Sequence, residues 1–132
     1  MSREIKFRVW DWKCRRMEDV DQIDIYPNGR KKVYFGPWAD THSVLIPKNG
    51  SLMQFTGLKD KDGVEIYEGD VIDHHETLDD LRRKPDRVEV WWDSMYSGWS
   101  PFCVYDADCG IYVLMKSVKI VGNIYENPEL LA

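Results

Sequence analysis

Turn-forming dipeptides punctuate this chain about every ten residues, and the runs between them are too short for helices and alternate like strands. "IKFRVW" sets Ile5, Phe7 and Val9 against Lys6, Arg8 and Trp10, a period of two that predicts a strand with one buried face. "QIDIYPNGRKKVYF" reads as a hairpin: Ile23 and Ile25 share a face, Pro27-Asn28-Gly29 turns, and Val33 and Phe35 return. "GPW" at Gly36 breaks that strand, and "KNG" from Lys48 to Gly50 separates "SVLIP" from "SLMQFTG". "RVEVWWD" places Val88, Val90 and Trp92 on one side; Ser97-Gly98 turns the chain; "GIYVLMK" and "VKIVGNIY" are two more strands. Helix signals are few. The charged stretch from Glu76 to Arg87 suits a solvated loop or one short helix capped near Thr77 and stopped before Pro85. The terminal "NPELLA" predicts one helical turn, with Asn127 as N-cap, Pro128 first in the helix and Leu130 and Leu131 pinning it to the core. The expected fold is mainly β, a small barrel or sandwich of short strands.

A length of 132 residues suits one domain or two small sub-domains with a shared core. The join is expected near Tyr67 to Asp70, dividing the chain into residues 1–66 and 67–132. The net charge of -5 disfavours general binding to phosphate backbones. The cluster Arg82, Arg83, Lys84 is surrounded by Glu76, Asp79, Asp80 and Asp86, whose fields largely cancel it. Met1-Ser2-Arg3-Glu4 opens the chain without an apolar segment, and no apolar run approaches the roughly 20 residues that span a bilayer, so a cytosolic location is expected. Cys14, Cys103 and Cys109 lack zinc-ribbon spacing and read as reduced thiols. A Cys103–Cys109 bridge would need an oxidising compartment.

Acidic side chains crowd "TGLKDKDGVEIYEG", residues 56–69, and several chemistries compete for them. A calcium loop aligned on Gly63 places Asp62 and Asp60 correctly but puts Leu58 and Gly69 where ligands are required, and neither side chain can ligate. Asp62-Gly63 is instead a strong turn dipeptide. Glu65, Glu68 and Asp70 could serve a hydrolase as acid and base, but catalytic pairs are usually brought together from separate elements. Asp70, after Gly69 and before Val71-Ile72, reads as a turn acid that starts a strand. His74 and His75 are adjacent, so on a strand they face opposite ways and do not share a metal. Nucleophile elbows, Walker loops and dinucleotide fingerprints are absent. No cofactor is expected.

Six Trp and seven Tyr are many for this length. Trp91, Trp92, Tyr96, Trp99, Phe102 and Tyr105 fall within fifteen residues. Such rings can stack on bases or sugars, but they also build cores and subunit contacts, and we favour the latter. Trp91 and Trp92 point to opposite sides of their strand, so at least one is expected outside the main core.

Three blocks in this sequence form a known pattern: "REIKFRVWD" (Arg3 to Asp11), "LMQFTGLKDKDGVEIYEGDVI" (Leu52 to Ile72) and "VGNIYENPELL" (Val121 to Leu131). Their content and order resemble the YopX protein family, encoded by phages and prophages of Gram-positive bacteria. The resemblance implies a mostly β fold with an SH3-like barrel in the C-terminal part. It assigns no catalytic residue, cofactor or substrate. It carries over a signature only: Thr56, Gly57, Leu58, Asp60, Gly63, Ile66, Tyr67, Gly69 and Asp70. The combined expectation is a non-enzymatic phage or prophage accessory protein of the host cytoplasm, acting by protein binding and self-association into a homo-oligomer. The rivals are a nucleotide or nucleic-acid binding module using Trp91, Trp92 or Trp99, and a carboxylate hydrolase.

Overall fold

A computed structural model describes residues 4–36, 42–75, 82–103, 105–106, 110–111 and 115–132. The chain divides into two compact units, Met1–Phe55 and Thr56–Ala132. The division falls inside one strand; the boundary read from the sequence, 66 to 67, lies further along, inside the next.

In the first unit, β1 (Phe7–Asp11), β2 (Arg16–Ile25), β3 (Lys31–Phe35), β4 (Ser43–Ile46) and the start of β5 (Gly50–Lys59) form an antiparallel sheet in the order β4-β3-β2-β1-β5. The expected β2–β3 hairpin forms, with Ile23 opposite Val33 and Ile25 opposite Lys31. Its partner strand β1 enters through an Asp turn: Asp11 Oδ1 accepts the N–H groups of Lys13 (2.9 Å) and Cys14 (3.2 Å). The turn therefore spans residues 12–15 and β2 starts at Arg16. Val9, Val33, Phe35 and Val44 make the core, each burial contributing roughly 1.5–3 kcal/mol. Two sequence expectations give way. Ile5 precedes β1 and is exposed, and Trp10 is buried although it lies on the face opposite Val9. Ile25, at the hairpin tip, is also exposed.

The second unit holds the remainder of β5, paired with β6 (Glu65–Tyr67), and an antiparallel three-stranded sheet in the order β13-β7-β8, made by β7 (Asp70–His74), β8 (Asp86–Glu89) and β13 (Lys119–Asn123). β9 (Trp91–Asp93) pairs with β10 (Gly98–Ser100), and β11 (Tyr105–Asp106) with β12 (Gly110–Ile111). Ile66, Ile72, Val90 and Val118 form the core, with Leu58, Val88, Phe102 and Ile120 packed against it. The run "RVEVWWD" is therefore two strands, not one. The chain leaves β7 at Val90 and begins a new pairing with β10.

Among the described residues these strands form open antiparallel sheets and no closed barrel, which corrects the SH3-like barrel. Closure requires the two edge strands of one sheet to pair. Here β9 pairs only with β10, and β8 and β13 remain the edges of their own sheet. The terminal helical turn exists as a 3-10 turn, Pro128–Leu131. Asn127 makes no side-chain cap to it; its Oδ1 instead accepts the N–H of Asn123 at 3.3 Å. Leu131 is exposed rather than pinned. The expected helix near Thr77, most of "YVLM" and Cys109 lie outside the described residues.

Candidate functional site

The signature stretch turns its polar side chains inward. β5 and β6 form the expected hairpin around Asp62-Gly63, with Gly63 at φ 82°. The carboxylate of Asp60 organises the turn. Its Oδ1 accepts the N–H groups of Asp62 and Val64, both at 2.9 Å. Its Oδ2 accepts the N–H of Ile120 on β13 at 3.2 Å. Lys61 N–H donates to the Val118 carbonyl at 2.8 Å, a second tie to the same region. Burial works against ionisation of Asp60, but the N–H groups of Val64, Ile120 and Asp62, with nearby Lys119, outweigh it and hold the carboxyl below its ordinary value.

Thr56 and Asp70 behave similarly. The buried Thr56 hydroxyl donates to the Ile66 carbonyl at 2.7 Å and accepts the Leu58 N–H at 3.1 Å. Asp70 is 2% exposed, and its Oδ2 accepts the Tyr67 N–H at 2.8 Å, closing the Glu68-Gly69 turn. Gly57, Gly63 and Gly69 all have positive φ, and Leu58, Ile66 and Tyr67 pack inward. Every signature residue thus has a local folding task. A carboxylate that caps a turn from the inside is poorly placed to meet a substrate, so the geometry of Asp70 lends no support to the hydrolase reading.

The remaining candidate chemistry is sparse. Among the described residues no group of three or more His, Cys, Asp and Glu could hold a metal ion. His74 is buried, while His75 Nε2 lies 3.0 Å from the Arg83 carbonyl and its backbone N–H donates to Ser117 Oγ. Burial, reinforced by Asp93, pushes the Cys103 thiol up, opposite to what a nucleophile needs. No described helix is long and apolar enough to cross a membrane.

The aromatic cluster is what faces outward. β9 and β10 set Trp92 opposite Trp99 and Trp91 opposite Ser100, so the two Trp of β9 do point to opposite sides. Trp99 is buried, with its ring 5.0 Å from that of Trp92 in an edge-to-face contact. Phe102 packs on the core. Trp91, Trp92, Met95 and Tyr96 are exposed, at 47%, 44%, 86% and 49%. Asp93 Oδ1 accepts the Met95 N–H at 2.9 Å and steadies the hairpin turn. Beside this hairpin lies an open groove of about 460 Å³, lined among the described residues by Val88, Glu89, Trp91, Ser100 and Pro101. Sequence reasoning passed over Glu89. Its one available signal was its place two residues before Trp91, hence on the same face.

The model of the YopX protein family matches residues 6–132, nearly the whole chain. The chain belongs to the YopX family. Two solved structures resemble this YopX-family chain over nearly their full lengths. Protein EF1440 from Enterococcus faecalis is 26% identical with a TM-score of 0.59, covering 99% of this chain and 100% of its own. Protein yopX from Bacillus subtilis is 20% identical, also at a TM-score of 0.59, covering 96% of this chain and 98% of its own. No curated protein matches the sequence.

Proposed function

We propose that this YopX-family chain is a phage or prophage accessory protein of the host cytoplasm that works by binding protein, including copies of itself, and not by catalysis. The observation that carries the reading is the exposed Trp91, Trp92, Met95 and Tyr96 on one short hairpin. Large apolar side chains clustered in this way mark contact surfaces, and Trp, Tyr and Met are the residues enriched in them. Asp93 of this hairpin and Glu89 at the end of the preceding strand β8 repel phosphate, which favours a protein over a nucleotide or nucleic acid stacked on Trp91. The inward-turned carboxylates of Asp60 and Asp70 support the non-enzymatic part.

Light scattering coupled to size exclusion tests self-association. The expected result is an oligomer at micromolar concentration that shifts toward monomer in the double variant Trp92→Ala, Tyr96→Ala. A monomer at all concentrations removes self-association. Tryptophan fluorescence with a panel of nucleotides tests the rival, and quenching that Trp91→Phe abolishes would replace the protein reading.

A further inference from the structure

Glu89 is a half-buried carboxylate that makes no hydrogen bond or ion pair among the described residues. Removal from water pushes its carboxyl up. A carboxylate in this position ordinarily has a cation or several N–H groups beside it, as Asp60 and Asp73 do. The residues of the second unit outside the described set, 76–81, 104, 107–109 and 112–114, contain no Lys or Arg. Among the described residues nothing supplies a counter-charge.

The surroundings of Glu89 specify what would. It is the one charged residue lining the groove, among those described, and Trp91, two residues on, lines the same groove. Ser100, opposite Trp91 in the β9–β10 register, adds a hydroxyl, and Pro101 adds apolar wall. An indole face beside a partly desolvated carboxylate, with no competing cation, suits a flat cation. A guanidinium can stack on the indole while donating two N–H groups to the carboxylate; an ammonium can do only one of these well.

We infer that the Glu89–Trp91 groove receives an arginine side chain of the partner protein. The inference rests on the protein-binding reading above and specifies the chemistry of its contact. Charge complementarity chooses this occupant over a purely apolar one, because an apolar group would bury Glu89 further with no counter-charge.

The test is a titration of the full chain with an N-acetylated, C-amidated Gly-Arg-Gly peptide, followed by NMR at the Trp91 indole N–H and the Glu89 carboxyl. The same peptide with citrulline in place of arginine is the uncharged control. Saturable shifts at both groups are expected with the arginine peptide and not with citrulline. Glu89→Gln and Trp91→Ala should each weaken binding roughly tenfold or more, while Val64→Ala, an exposed side chain at the Asp62-Gly63 turn, leaves it unchanged. Equal binding of the citrulline peptide, equal affinity of Glu89→Gln, or no saturable shift overturns the inference. Protein capture or self-association that persists in Glu89→Gln would sink this contact and leave the protein-binding reading standing. Arginine-peptide binding without any protein capture would do the reverse.

Discussion

Asp60 and Ile120 stand sixty residues apart in the chain, yet the carboxylate of one accepts the backbone N–H of the other at 3.2 Å. The same carboxylate holds Asp62 and Val64, so one side chain closes a local turn and fixes a distant strand.

Replacing Asp60 with Ala leaves three N–H groups without their acceptor and should destabilise the protein by roughly 2–3 kcal/mol in chemical denaturation. Asp60→Asn keeps one carbonyl oxygen and should cost less. The folded-state pKa lies below the unfolded one. The contribution of ionisation is therefore complete above the unfolded value and disappears as pH falls through the folded value. The acid limb of stability against pH should be shallower in Asp60→Asn than in the wild type; identical limbs would refute this role.

Thr56→Val preserves shape and removes both bonds of a buried hydroxyl, and should lower stability by about 1–2 kcal/mol. Thr56→Ser retains the hydroxyl and should recover most of that loss. Thermal melts of the three proteins decide the matter.

These bonds show where the sequence was legible and where it was not. The Asp62-Gly63 turn could be read because a turn depends on neighbours in sequence, and the same holds for the Asp70 turn acid. That Asp60 would hold Ile120 could not be read, since no local pattern encodes a partner sixty residues away. The opposite facing of Trp91 and Trp92 follows from the period of a strand, but which Trp is covered depends on the pairing with β10. Trp91 and Trp92 are both half exposed, and the buried ring is Trp99 of β10, opposite Trp92. The barrel was misjudged for a related reason. Strand count is a local property, whereas closure is set by edge pairing. Glu89 was missed because its isolation from any cation is a fact of three-dimensional surroundings.

Gly63→Ala meets no atom within 4 Å but forces a Cβ onto a residue at φ 82°, and should cost roughly 1–2 kcal/mol through backbone strain alone. At Gly122 the obstacle is spatial: a Cβ would come within 2.5 Å of Asn127 Oδ1 and 2.6 Å of Leu130 Cδ1. Gly122→Ala should therefore loosen the Pro128–Leu131 turn. Amide exchange should rise at the terminal turn in Gly122→Ala and not in Gly63→Ala.

The edge-to-face contact of Trp92 with Trp99 should give an exciton-coupled band in circular dichroism. Trp92→Phe should abolish the band with little change in stability, because Trp92 is half exposed. Trp99→Ala should abolish it too, and should also cost about 3–5 kcal/mol by emptying a buried site. A band surviving in Trp92→Phe would argue against the contact.

The tie between Asp60 and Ile120 also sets an order of events when the chain is made. During synthesis the Asp60 loop leaves the ribosome early, able to close its own turn through Asp62 and Val64, while its remaining oxygen waits in water. Val118 and Ile120, which complete the loop's ties to β13, follow some sixty residues later. The second unit thus reaches its final arrangement only after β13 has emerged, since domains settle as units once their distant contacts become available.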